Sequence, residues 1–160
     1  MENKVLIMGV GNYLMGDEGV GVHAVQKLMD MDLPDYVEVV DGGTGGFHLL
    51  GYFEKYPRVI LIDATLDGKK AGTTKLIKPK FASDFPKAMS THDIGLKDMV
   101  SSLQLLGKIP EIYLFTVSIE YIQQQGVELN DATEAALPGL LKKITDLALS
   151  LAPEKQPVKG

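Results

Sequence analysis

Apolar runs too short to be helices alternate with segments whose apolar residues recur at helical spacing. Val5–Met8 and Val59–Ile62 are unbroken apolar stretches, the pattern of strands buried on both faces. Tyr36–Val40 and Ile112–Val117 read as two further strands. Thr73–Ile77 is a weaker one, predicted at a sheet edge by its lysine. Between the strands, Glu18–Met31 places Val20, Ala24, Leu28 and Met31 on one helix face, and Phe47–Tyr56 is predicted helical. From Ile94 onward, Leu96, Met99, Val100, Leu103 and Leu106 trace an amphipathic helix. A last helix opens at Asp131-x-x-Glu134, a capping-box pattern. It carries Leu137, Leu140, Leu141, Ile144, Leu147, Ala148 and Leu151 on one face, with a kink or restart expected at Pro138. Residues 66–70, 79–91 and 121–129 read as loops.

Strands alternating with helices predict an α/β fold: three layers, with a five-stranded, mostly parallel twisted sheet and helices on both faces. One domain is expected over residues 1–152. The remainder, 153–160, combines Pro, Lys and Gly without an apolar face and is expected to be disordered. In parallel sheets, ligands bind outside the carboxyl ends of the strands, which directs attention to the residues that leave each strand.

Gly9-x-Gly11-Asn12 follows the first strand, and Asp17 or Glu18 is predicted to start the first helix, where a carboxylate meets unpaired N–H groups. Gly19 and Gly21 then fall in the first turns of that helix. Each costs about 1 kcal/mol against alanine, so close packing on that turn is expected. Asp41 ends the second strand and opens Gly-Gly-Thr-Gly-Gly, while Asp63 ends the third. An acid directly after a buried apolar run must be paired, hydrogen-bonded or bound to a cation. His92 opens the helix that leads into the fifth strand, where the dipole favours the neutral, metal-binding imidazole. Glu18, Asp41, Asp63 and His92 are thus predicted on one rim, as exposed acids and an imidazole whose removal costs little stability. Each also has an ordinary structural role open to it: helix start, loop cap or satisfied polar group. His23 and His48 lie on amphipathic helices and are expected to be partly solvated surface residues.

Composition narrows the chemistry. At 160 residues the chain buries about 70% of its unfolded surface, enough for a three-layer core. There are no cysteines, which removes disulfides, thiolate metal sites and cysteine nucleophiles and fits a reducing compartment. A net charge of −5 and a single arginine, Arg58, argue against nucleic acid. No apolar run approaches the ~18 residues of a membrane span, and no secretory signal is visible. The nucleophile elbow, the zinc helix H-E-x-x-H and the Walker loop are missing. A dinucleotide fingerprint needs glycine where Leu14 stands, although Asp41 could mimic its ribose-binding acid. Two carboxylates and an imidazole remain, a donor set suited to divalent ions such as nickel or zinc.

Gly9-x-Gly11-Asn12 with Asp17-Glu18-Gly19, then Asp41-Gly42-Gly43-Thr44, then Asp63-Ala64, then Ser90-x-His92-x-x-Gly95-Leu96, occur here in that order. In this arrangement the chain resembles the [NiFe]-hydrogenase maturation endopeptidases along nearly its whole length. The resemblance implies a phosphorylase/hydrolase-like fold. It implies a cytoplasmic, monomeric hydrolase that trims the C-terminal extension of the hydrogenase large-subunit precursor after nickel insertion. It places the metal-binding triad on Glu18, Asp63 and His92 and associates Asp41 with cleavage or substrate selection. The nickel would be supplied by the precursor rather than permanently bound. Val117-Ser118-Ile119-Glu120-Tyr121 departs from the family, which often places Gly and Pro there. A self-contained zinc metallohydrolase and a non-enzymatic nickel- or nucleotide-binding module are the alternatives.

Overall fold

The computed structural model describes residues 4–44, 49–86, 96–120 and 126–153, with the side chains of Leu96 and Lys97 excepted. Its elements are β1 (Val5–Gly9), α1 (Val20–Met29), β2 (Val37–Asp41), α2 (Leu50–Lys55), β3 (Arg58–Thr65), β4 (Thr74–Ile77), α3 (Leu96–Leu105), β5 (Glu111–Ser118) and α4 (Asp131–Ser150). The 3-10 turns Gly16–Gly19 and Ala82–Asp84 are also described. The strands form one sheet in the order β2-β1-β3-β5-β4. Four are parallel, and β4 runs antiparallel to β5 at the edge. Lys75 and Leu76 of β4 are exposed there, as the lysine in this strand led one to expect.

Topology explains the layers. From β1 the chain crosses through α1 to β2, then returns through α2 past β1 to β3. Right-handed crossovers made in opposite directions put their helices on opposite faces. Side chains alternate accordingly. Val5, Ile7, Ile60, Ile62, Ala64, Tyr113, Phe115 and Val117 pack with α1 and α4. Leu6, Met8, Val59, Leu61, Ile112 and Leu114 pack with α2 and α3. Both faces are covered, so the strands read as continuous apolar runs rather than alternating ones.

Several boundaries differ from the sequence expectation. Asp63 does not end β3. The ladder with β5 continues through Asp63–Thr116, Ala64–Val117 and Thr65–Ser118, because backbone pairing persists past the apolar run. Neither Asp17 nor Glu18 starts α1. Both lie in the preceding 3-10 turn, and α1 begins at Val20 with Gly19 at its N-cap and no side-chain cap. The predicted capping box is also not formed. Asp131 is already inside α4 and the N-cap is Asn130, whose side chain makes no cap bond. α4 runs through Pro138 without restarting. The lost hydrogen bond costs about 3 kcal/mol, and Leu137, Leu140, Ile144 and Ala148, buried on both sides of the proline, offset it. Residues 154–160 of the predicted tail (153–160), 87–91 of the loop predicted at 79–91, 121–125 of that predicted at 121–129, and the helix starts predicted at Phe47 and Ile94 fall outside the described residues.

Candidate functional site

The connections from β1 and β3 leave the sheet in opposite directions, so the crevice of an open α/β sheet lies at their carboxyl ends. Backbone bonds lace the strand exits together there. Val10 N–H donates to the Ile62 carbonyl (3.0 Å), Gly42 N–H to that of Gly9 (2.8 Å), and Gly11 N–H to that of Gly43 (2.7 Å). Asn12 bonds within its own loop, its Oδ1 accepting the Leu14 N–H at 3.0 Å. The chain then turns through Gly16–Gly19, which packs against β3 and brings Glu18 to the crevice.

Glu18 is 7% exposed and Asp63 0%. The expectation of exposed rim acids is therefore corrected: these carboxylates are built into the protein. One oxygen of Asp63, Oδ1, accepts the N–H of Ala64 at 2.8 Å. Alternation puts Asp63 and Thr65 on the α2–α3 face, with Thr116 and Ser118 beside them by register. All four are buried, so that otherwise apolar layer turns polar at its carboxyl end. Ser118 Oγ donates in turn to Asp67 Oδ2 at 3.1 Å. Asp41 is different. It is exposed, and its Oδ1 accepts the Gly43 N–H at 2.8 Å, a side-chain turn helped by the positive φ (56°) of Gly43. Asp41 and Ile62 both pair with Gly9, so their backbones stand two strand spacings apart, about 10 Å.

The structure thus brings Glu18, Asp63 and Asp41 to one rim. His92 and His48 lie outside the described residues. Among the described residues no three His, Asp or Glu side chains come together as ligands of one ion. Glu18 and Asp63 are two hard oxygen donors of the kind a divalent ion takes, and an imidazole from His92 would make the set borderline.

Sequence reasoning missed one feature. Asp17, 1% exposed, accepts two hydrogen bonds from Asn130: from its N–H to Oδ1 at 2.8 Å and from its Nδ2 to Oδ2 at 3.0 Å. No local pattern signals a pair so far apart in the chain.

His23 is half-buried on α1, its ring against Tyr13 with centroids 4.8 Å apart. Its Nε2 is buried without a hydrogen-bond partner among the described residues, so the expected surface role holds for only part of the ring. Burial lowers its pKa below 6.5. A backbone hydrogen bond with Val127 and the charges of Glu134 and Asp17 oppose that shift, and Lys27 adds to it. The unfolded chain therefore takes the proton first as pH falls. The stability contributed by neutral His23 is complete above pH 6.5 and is lost as pH drops through 6.5 towards the lowered folded value. Replacing His23 with Gln should flatten the fall in melting temperature between pH 7 and pH 5.5. An unchanged pH dependence would exclude His23 as its source.

Comparison with known proteins follows the same lines. The family model for hydrogenase maturation proteases matches residues 22–147. The chain is 38% identical over 115 residues to the hydrogenase expression/formation protein HupD of Bradyrhizobium diazoefficiens, covering 69% of this chain and 59% of that protein. It therefore spans less than two thirds of that relative's length. With the hydrogenase 2 maturation protease of Escherichia coli it shares 33% identity over 144 residues, 88% of each chain. The solved structure of the hydrogenase maturating endopeptidase HybD from E. coli superposes with a TM-score of 0.83 at 32% identity, covering 92% of this chain and 93% of that one.

Proposed function

Because this chain belongs to the hydrogenase maturation protease family, we propose that it is an endopeptidase that removes the C-terminal extension of a [NiFe]-hydrogenase large-subunit precursor. Nickel already seated in the precursor is the feature it recognises. The reading is supported by the burial of two carboxylates, Glu18 in the turn that packs against β3 and Asp63 on β3 itself, with the exposed Asp41 ending β2 two strands away. Glu18 and Asp63, with His92, complete the coordination of the precursor's nickel and so hold the scissile bond at the rim. The ion is part of the substrate. The reading sets the protein in the cytoplasm, acting as a monomer, as the family resemblance implies.

Asp41 is the group that can act on water. Its carboxylate faces solvent and is held in orientation by the Gly43 N–H. As the base, it would take a proton from the water that attacks the scissile carbonyl, and the departing amine must gain one. Asp41→Asn keeps an oxygen acceptor for Gly43, so its melting temperature should match the wild type. Its processing rate should fall about a hundredfold or more. Wild-type processing by Asp41→Asn across precursor and nickel concentrations would reduce Asp41 to a loop cap.

The test of the whole reading is incubation with nickel-loaded and nickel-free precursor, followed by the size of the large subunit. Shortening of the loaded form alone is expected, and equal cleavage of both would overturn nickel recognition. Metal analysis of the purified protein addresses a resident ion: one equivalent of zinc surviving gel filtration would favour a self-contained metallohydrolase.

A further inference from the structure

The turn that carries Glu18 is fastened to the entrance of α4, a part of the chain more than a hundred residues away. Gly16 N–H donates to the Gly126 carbonyl at 2.7 Å, and Gly126 N–H donates back to that of Leu14 at 2.6 Å. One residue on, Asp17 takes both hydrogen bonds from Asn130. A carboxylate only accepts, so the Asn130 amide must present its NH2 group to Asp17. Asn is among the best N-cap residues because its side-chain oxygen accepts from the first helical N–H groups, yet Asn130 stands at the N-cap of α4 and makes no such bond. Its NH2 group is committed to Asp17, while its Oδ1 makes no cap bond. Both oxygens of a buried acid are thereby directed, and its backbone with them.

We propose that Asp17 and Asn130 form a positioning clamp that sets the orientation of the neighbouring Glu18 towards the precursor's metal. The proposal rests on the reading of Glu18 given above. Neither clamp residue touches substrate; both act through the 3-10 turn. The turn has no side-chain cap of its own at Met15, so its orientation depends on partners brought from outside. The clamp also ties Glu18 to the segment that follows β5, so a disturbance at residues 126–130 reaches the metal-facing carboxylate.

The test is an exchange of the two side chains. Asn130→Asp sets two carboxylates against each other while giving α4 an equally good N-cap. Adding Asp17→Asn restores one acceptor and one donor on each side of the pair. Processing of nickel-loaded precursor and melting curves are measured for Asn130→Asp, for the exchanged double variant and for Glu18→Gln. The expected result is a loss of about tenfold or more in kcat/KM for Asn130→Asp, without a matching fall in melting temperature. The exchanged pair should recover most of it. Should Asn130→Asp fail to fold, Asn130→Ala serves. It keeps the backbone bond to Asp17 and removes only the Nδ2 donor, and a several-fold loss is expected. The clamp is overturned if the folded variants process at the wild-type rate, if the exchanged pair stays as low as Asn130→Asp, or if activity merely follows melting temperature. Wild-type processing by Glu18→Gln would instead remove Glu18 from the site and the functional reading with it. An inactive Glu18→Gln beside a fully active Asn130→Ala would remove the clamp alone.

Discussion

Glu18→Ala, Asp63→Asn and His92→Ala should each lose processing of nickel-loaded precursor by on the order of a thousandfold, with double variants little worse than singles. Ligands that hold one ion act as a unit, so an incomplete set has already lost most of what the complete set provides. The choice of substitution follows from the structure. Asp63 is fully buried and accepts the Ala64 N–H. Alanine there would strand a buried donor at a cost of about 1–3 kcal/mol and confuse lost folding with lost function. Asparagine keeps the acceptor. Glu18 is buried as well, so the melting curve of Glu18→Ala must be read beside its rate. Processing rates beside melting curves decide the matter. Near-normal cleavage by His92→Ala would take the imidazole out of the site. Losses in proportion to unfolding would make all three residues structural.

How much of this was legible in the sequence depends on which force set each feature. Strands covered on both faces must be apolar throughout, so β1 and β3 announce themselves as unbroken runs, and α4 does so through its 3.6-residue period. The rim could be read because the carboxyl ends of such strands are the places where an acid has something to do. What could not be read was decided by partners distant in the chain. β3 continues past Ile62 because β5 pairs with Asp63, Ala64 and Thr65, and no local propensity encodes that neighbour. The helix start expected at Asp17 or Glu18 gives way to a 3-10 turn because the Asp17 carboxylate is taken by Asn130. Pro138 stays within α4 because tertiary burial of Leu137 and Leu140 outweighs a local penalty.

The glycines of the first turn are where sequence and structure agree most directly, and they carry the largest expected effect on stability. A Cβ on Gly9 would lie 2.0 Å from the Gly21 carbonyl oxygen, and one on Gly21 would lie 2.3 Å from that of Ile62 and 2.5 Å from that of Val10. These are backbone atoms, so no change of rotamer relieves the contact. α1 must lift from β1 and β3, and the turn bearing Glu18 moves with it. Gly9→Ala and Gly21→Ala should each cost about 3 kcal/mol or more, lowering the melting temperature by about 6–12 °C. The built-in comparison is Gly139, exposed inside α4 with nothing within 4 Å of its would-be Cβ. There alanine should add about 1 kcal/mol by helix propensity alone. The same chemical change thus has opposite signs at two helical glycines, according to whether backbone or solvent faces the new methyl group. A Gly21→Ala protein melting with the wild type would mean that α1 does not lie against the sheet as closely as described, and the packing of the Glu18 turn against β3 would fall with it.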